Sequence, residues 1–134
     1  MIIAVDFDGT IVEHRYPAIG REKPGAIETL RRLADEGNKL ILFTVRDGEL
    51  LEEAVEFCRR RGVEFYAVNS NTPQGALLEG MKPLGGKVMA DVYIDDRNLG
   101  GLPDWDSIYA QLTQLRQQKR RARKKSFWAK IFGK

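Results

Sequence analysis

Short apolar runs alternate with stretches of helical periodicity along most of the chain. The runs Met1–Val5 and Leu40–Phe43 are apolar and too short for helices, which is typical of buried parallel strands. Between them apolar residues recur at helical spacing, and Pro24 and Gly37 are suitable residues to begin and end a helix. The pattern therefore predicts a strand, a helix and a second strand in this part of the chain.

The same alternation continues to residue 115. A helix is predicted over Leu50–Arg60, strands are predicted at Val63–Val68 and Val88–Ile94, and a last helix follows Pro103. Strands separated by helices predict a parallel sheet covered on both faces, because each crossover must return over one face. The predicted fold class is therefore α/β, with a three-layer α/β/α arrangement of the Rossmann type.

Two segments do not fit this alternation. Residues 69–86 are rich in turn-forming residues and predict a loop, with one helical turn around Ala76–Glu79. Ile11–Lys23 is a second polar stretch, and neither segment is long enough to fold separately. We therefore expect one domain over residues 1–115, followed by a tail over residues 116–134.

Two pairs of carboxylates follow predicted strands. Asp6 and Asp8 come after the first strand, and Asp95 and Asp96 come after the fourth. The carboxyl ends of parallel strands form one edge, so the pairs converge if the first strand is central and the fourth lies beside it. Taken alone, Asp8 followed by glycine is also common turn chemistry. Four acids in one cleft repel each other, and magnesium, which prefers oxygen ligands, would offset that repulsion.

The first acidic pair can divide the work of a reaction. Asp6 can act as ligand and nucleophile, while Asp8 can reach a leaving oxygen as a general acid. Arg46 and Arg97 follow polar strand ends and are candidates for binding the substrate phosphate, with surface ion pairing as the alternative.

Four segments together resemble a known family. Ile3–Thr10 resembles the first motif of the haloacid dehalogenase superfamily of phosphatases, and Leu40–Thr44 resembles the second. Lys87, before the fourth strand, resembles the third motif, and Tyr93–Asp96 resembles the acidic fourth motif. The resemblance covers about residues 1–110. It implies a small phosphatase without a cap domain, because no segment of the chain is long enough to form one.

The resemblance also implies a mechanism. Asp6 would form an aspartyl-phosphate, and Asp8 would protonate the leaving group and then activate water. Magnesium would be bound by Asp6, by the backbone carbonyl of Asp8 and by the acid of the fourth motif. The hydroxyl of Thr44 and the ammonium of Lys87 would bind phosphate oxygens.

The sequence leaves several alternatives open. Neighbouring residues at a strand end point in opposite directions, so only one of Asp95 and Asp96 is expected to face the metal directly, and Asp96 is favoured. Lys87 is favoured over Lys82 as the phosphate-binding lysine, because it directly precedes the strand. A metal- or phosphate-binding regulatory module without turnover is the alternative function, although the intact pair of acids after the first strand favours an enzyme.

The positive charge of the chain is concentrated in its tail. Residues 116–134 contain nine Lys or Arg and no acid, and because the whole chain carries +3, residues 1–115 carry −6. The tail ends in aromatic and aliphatic side chains after its basic run. This composition is typical of an anchor at an anionic membrane surface. Nucleic acid, or a solvated extension of the last helix with aromatics packed on the domain, would be alternatives.

The expected location of the chain is cytoplasmic, with peripheral membrane association through the tail. Cys58 is the single cysteine, which excludes an intramolecular disulfide and indicates a reducing compartment. We expect it to be a packed core thiol. The N-terminal apolar run is interrupted by Asp6, too early for a signal peptide, and no later run approaches membrane-spanning length.

Overall fold

The computed structural model describes residues 1–73 and 88–133, and these residues form an α/β fold. Within them, four strands build one all-parallel sheet in the order β3-β2-β1-β4. The elements in chain order are β1 (Ile2–Val5), α1 (Ala26–Asp35), β2 (Lys39–Leu42), α2 (Gly48–Arg60), β3 (Ala67–Val68), β4 (Val92–Ile94) and α3 (Trp105–Phe132). The predicted α/β class with a Rossmann-like parallel sheet is confirmed.

Strand β1 lies inside the sheet, between β2 and β4. Val5 is paired with Leu42 of β2 on one side and with Ile94 of β4 on the other. Asp6 and Asp95, which follow directly, therefore end neighbouring strands at the same edge. The condition for convergence of the strand-end acids is thus met, because the first strand is central and the fourth lies beside it.

The core of residues 1–102 is built on the central strands. Ile3, Ala4 and Val5 are fully buried, as are Leu40 and Ile41 of the neighbouring strand. Such continuous apolar runs are expected for strands that are covered on both faces. The acids at the sheet edge thus follow strands that are packed in the apolar core.

The single thiol belongs to this core. Cys58 on α2 is completely buried, and burial raises its pKa to about 12. A thiol with so high a pKa is hardly ionised at neutral pH and is a poor nucleophile. The prediction of a packed core thiol is confirmed.

The outer strands are shorter than the sequence predicts. Strand β3 has only two residues, and β4 begins at Val92 rather than at Val88. The N–H of Asp91 donates to the carbonyl of Ile2, where β1 begins, so residues 88–90 precede the paired part of β4. The helical turn predicted around Ala76–Glu79 lies outside the described residues, as do the two candidate lysines, Lys82 and Lys87.

A second compact unit begins at Pro103. Its helix α3 begins after Asp104, whose carboxylate accepts a hydrogen bond from the N–H of Ser107 at 2.8 Å. The helix continues to Phe132 without interruption, so the predicted boundary at residue 115 falls inside it. The basic run is rich in Arg, Lys and Gln, which are strong helix formers. Among the described residues, no helix is both long and apolar enough to cross a membrane.

Candidate active site

Three carboxylates converge at the carboxyl edge of the sheet. Asp6 follows β1, and Asp95 and Asp96 follow β4. Each is half-buried, and one carboxylate oxygen from each lies within 4.8 Å of the other two. We call these three residues the acidic cluster. The convergence predicted from the sequence is thus found for Asp6, Asp95 and Asp96.

A buried threonine holds the two strand ends of the acidic cluster together. The hydroxyl of Thr10 donates to Oδ2 of Asp6 at 3.1 Å and accepts from the N–H of Asp96 at 3.0 Å. The N–H of Asp6 in turn donates to the carbonyl of Ile94 at 2.9 Å. Sequence reasoning assigned no role to Thr10, although its position directly after the first acidic pair was the available signal.

Gly9 allows the acidic cluster to close. Its φ of 83° is in the left-handed region, which favours glycine. A Cβ at this position would overlap the carboxylate of Asp96. The turn after β1 therefore needs glycine for two reasons, the backbone conformation and the close approach of Asp96.

The surroundings of the acidic cluster disfavour ionisation of Asp6. The pKa of Asp6 is raised from 3.8 to about 7, first by burial, then by the charge of Asp95 and by a side-chain hydrogen bond with Asp96. Hydrogen bonds from the N–H of Phe7 and from Thr10 act in the opposite direction without cancelling the rise. A bound cation would favour the ionised form of all three acids. The donor set contains only carboxylate oxygens, which fits magnesium or calcium better than zinc.

Asp8 lies in a different electrostatic environment, although it is only two residues from Asp6. Its Oδ2 accepts from Nε of Arg46 at 2.7 Å, and its Oδ1 accepts from Nη2 of Arg46 at 2.8 Å. Both side chains are buried, and the pKa of Arg46 is raised, chiefly by these hydrogen bonds. Asp8 is therefore held in one orientation by a bidentate ion pair.

Arg46 also binds backbone carbonyls of two other segments. Its Nη1 donates to Pro17 at 3.2 Å and to Leu50 at 3.4 Å, and its Nη2 donates to Ala18 at 3.0 Å. With the two bonds to Asp8, these contacts use the five N–H groups of a guanidinium. The sequence-based expectation that Arg46 binds substrate or forms a surface ion pair is corrected: Arg46 is internal and has no N–H group left for a phosphate.

Two aromatic rings complete the surroundings of this guanidinium. The rings of Phe7 and Tyr16 each have their centroid 5.2 Å from Cζ of Arg46. Phe7 is fully buried, whereas Tyr16 is half-exposed. Cation–π attraction therefore adds to the hydrogen bonds that keep the charge of Arg46 in the protein interior.

Thr44 lies at the same edge, two residues beyond the end of β2. Its N–H donates to Oδ1 of Asn69 at 2.8 Å, and its hydroxyl oxygen accepts from the N–H of Arg46 at 3.2 Å. The side chain is partly exposed, so it is reachable from solvent. The predicted phosphate contact from Thr44 is compatible with this placement and stays a prediction.

Arg97 is exposed at the end of β4. Its backbone N–H donates to Oδ1 of Asp95 at 2.9 Å, which helps to orient that carboxylate. Its role as a substrate-binding side chain stays a prediction. The choice between Lys87 and Lys82 falls outside the described residues.

Comparison with known proteins gives one informative relative. No family model matches the chain, and no curated protein matches it. The chain is similar to a solved structure described as that of a conserved protein from Bacteroides thetaiotaomicron, with 56% sequence identity and a TM-score of 0.77. The match covers 85% of this chain and 90% of that one. That description states no activity. At this identity and coverage, the chain belongs to the same family as this conserved protein from Bacteroides thetaiotaomicron.

Proposed function

We propose that the protein is a magnesium-dependent phosphohydrolase that cleaves a phosphate monoester through a covalent intermediate on Asp6. The observation that carries this proposal is the convergence of Asp6, Asp95 and Asp96 within 4.8 Å at the carboxyl edge of the sheet. Ligands of parallel α/β sheets bind outside this edge. The similarity of the strand-end motifs to those of the haloacid dehalogenase superfamily supports the same reaction.

Asp6 would be the nucleophile. The hydrogen bond from Thr10 fixes one of its oxygens, and the other oxygen can attack phosphorus as the bond to the leaving oxygen breaks. Magnesium, when bound by the acidic cluster, would supply positive charge that offsets the carboxylates and the phosphate oxygens. The resulting aspartyl-phosphate would then be hydrolysed by water, which restores the carboxylate.

Asp8 would transfer the proton. It would give a proton to the leaving oxygen in the first step and accept one from the attacking water in the second. Its two bonds to Arg46 fix the direction of the carboxylate, and each carboxylate oxygen keeps a second lone-pair position for another partner. Thr44 and a lysine of the third motif would bind the remaining phosphate oxygens.

The proposed fold is that of a haloacid dehalogenase-like domain without a cap. Residues 9–25 connect Asp8 to α1 and are too few to form a separate domain, and two carbonyls of this connection are bound by Arg46. A site without a cap would admit bulky phosphate esters as well as small ones. Water exclusion would then depend on the loops around the site or on the substrate itself.

A binding or regulatory module without turnover is the second candidate, and the Asp8–Arg46 pair is the observation that favours it. A module that only binds metal or phosphate has no need of a general acid. The ion pair gives Asp8 a structural reason to be present, so its presence alone does not argue for catalysis. The two candidates differ in turnover and agree in metal binding.

Phosphate release from an aryl phosphate, with and without magnesium, separates the two candidates. The enzyme should release inorganic phosphate with magnesium and be silent after chelation, and Asp6→Asn should be inactive while folded. Magnesium binding without release would favour the binding module, once phosphorylated metabolites, nucleotides and oligonucleotides with 5′- or 3′-phosphates have also been tried. Absence of magnesium binding would contradict both candidates.

A further inference from the structure

The end of α3 combines strong positive charge with exposed apolar side chains. Residues 116–132 of this helix contain eight Lys or Arg and no acid, and residues 120–132 are all exposed. We call residues 116–132 the basic helix end. A 28-residue helix is about 42 Å long, so this segment forms about 25 Å of it.

Four apolar side chains are exposed in the last two turns of the basic helix end. The exposed fractions are 58% for Phe127, 48% for Trp128, 54% for Ile131 and 71% for Phe132. The ring of Trp128 stacks on that of Phe132 at 4.9 Å and meets that of Phe127 edge-on at 6.2 Å. The three rings therefore form one apolar patch at the tip of the helix, and Ile131 adds a further exposed apolar side chain in the same two turns.

The basic and apolar residues share one stripe of the helix. Arg120, Lys124, Phe127 and Ile131 follow one another at spacings of four, three and four residues, which places them on the same side of an α-helix. Two cations therefore precede two apolar side chains along a single face. Long basic side chains can direct their charges towards a polar layer while their stems lie on an apolar one.

We infer that the basic helix end binds the surface of an anionic lipid bilayer. The cations would lie at the phosphate and carboxylate headgroups, and the apolar tip would insert to the depth of the headgroup boundary. Trp128 is suited to this layer, because its ring is apolar and its N–H can still meet polar groups. The acidic remainder of the chain, with its charge of −6, would be repelled by the same surface and would stay in solution.

The arrangement favours a bilayer over nucleic acid. Single-stranded nucleic acid is bound by aromatic rings that stack on successive bases within a basic groove. Here the apolar residues follow the basic run instead of alternating with it, one face of Trp128 is covered by Phe132, and Ile131 offers no ring for stacking. Insertion of the helix tip into lipid would bury all four apolar side chains.

The test is flotation of the full chain with vesicles of phosphatidylcholine alone and with vesicles that also contain phosphatidylserine. Binding to the second kind only is expected, and it should weaken as salt rises. Arg120→Gln/Lys124→Gln should bind roughly thirtyfold more weakly at low salt. Its matched control is Arg21→Gln/Arg60→Gln, which removes two exposed charges from the other unit and should change the affinity far less.

Insertion is tested separately from charge. Trp128→Ala/Phe132→Ala should bind about tenfold more weakly at low and at high salt, because the lost burial does not depend on ions. Met89→Ala/Leu99→Ala, which removes two exposed apolar side chains elsewhere, is the matched control. Alanine and glutamine are strong helix formers, so α3 should persist in both helix variants, and circular dichroism checks this.

Tryptophan emission gives a direct readout of depth. Trp105 is 2% exposed, whereas Trp128 is exposed, so quenching by brominated acyl chains should arise from Trp128 and disappear in Trp128→Phe. Absence of vesicle binding, equal binding to both lipids, or unchanged binding of Trp128→Ala/Phe132→Ala would each overturn the inference. Binding to a single-stranded oligonucleotide without binding to vesicles would assign the surface to nucleic acid and would overturn it as well.

Discussion

Two carboxylates that are two residues apart in the sequence, Asp6 and Asp8, have opposite electrostatic surroundings. Asp6 lies against Asp95 and Asp96, and its pKa is raised to about 7. Asp8 is bonded through both oxygens to the buried guanidinium of Arg46. The first acid is surrounded by charge of its own sign, and the second by charge of the opposite sign.

The acidic cluster is therefore the candidate site for a ligand, whereas the Asp8–Arg46 pair fixes the structure beside it. The acidic cluster favours a proton on Asp6, and a bound cation would favour the ionised form instead. The Asp8–Arg46 pair is complete within the protein and leaves its neighbours fixed. A perturbed pKa at a half-buried position is typical of functional sites, whereas a buried ion pair destabilises the protein chiefly when one partner is removed.

The largest expected effect is the loss of turnover in Asp6→Asn. Removal of the nucleophile should lower the rate of phosphate release roughly 10⁴-fold or more. The same variant should be at least as stable as the original protein without magnesium at pH 8, because it relieves burial of a charge and repulsion by Asp95. Retained activity on the true substrate would refute the covalent mechanism.

The opposite effect on stability is expected for Asp8→Asn. It leaves the charge of Arg46 buried and incompletely paired, so the free energy of unfolding should fall by about 3 kcal/mol or more in denaturant titrations. In a double-mutant cycle with Arg46→Gln, the double variant should lose less stability than the sum of the single losses. Additive losses would show that the pair does not couple the two residues.

Catalysis by Asp8 can be measured at a temperature at which this variant is still folded. Asp8→Asn should lower the rate strongly for an alkyl phosphate, whose leaving oxygen needs a proton, and less for an aryl phosphate, whose oxygen leaves readily. Equal losses on both substrates would leave Asp8 with a structural role only.

A smaller effect is expected from pH on the metal-free protein. The folded state keeps the proton of Asp6 up to about pH 7, whereas the unfolded chain loses it near pH 3.8. The contribution of Asp6 to stability should therefore fall as the pH rises from about 4 to about 7, by roughly 2 kcal/mol after allowance for screening by solvent. The measurement is the difference between the unfolding free energies of the original protein and Asp6→Asn. A difference that does not vary with pH would contradict the raised pKa.

The smallest expected effect is a difference in magnesium affinity between variants of the two acids that follow β4. Asp96→Ala should lower magnesium affinity about tenfold or more, and Asp95→Ala should lower it less, as measured by calorimetric titration. Asp35→Ala removes an exposed acid from α1 and is the matched control. The reverse order of the two affinities would make Asp95 the direct ligand. Magnesium should also raise the melting temperature of the original protein by binding the native state.

The strand ends that carry the site could be predicted from the sequence, whereas the order of the strands entered only as a condition for their convergence. The apolar runs that end in acids indicated which residues close β1 and β4, and the rule for parallel sheets placed Asp6, Asp95 and Asp96 at one edge. The continuation of α3 to Phe132 was considered only as an alternative, because the basic run was interpreted first as a tail that follows the domain. Its helix-forming composition was the signal that was available.

The internal role of Arg46 could not be predicted in the same way. Its main partner lies 38 residues away, and two of its other acceptors are carbonyls in the loop before α1. Arginine is almost never fully buried unless it is paired, so sequence reasoning places it at the surface by default. Only the three-dimensional arrangement shows that one guanidinium connects the turn after β1, that loop and α2.

This guanidinium constrains how the protein can evolve. Replacement of Asp8 alone would leave the charge of Arg46 buried without its carboxylate partner. Replacement of Arg46 alone would leave a buried carboxylate and two loop carbonyls without their donor. Either single substitution should therefore destabilise the folded protein, whatever its effect on the reaction. The two positions should therefore change together or not at all among descendants, even where the chemistry of the acid is no longer under selection.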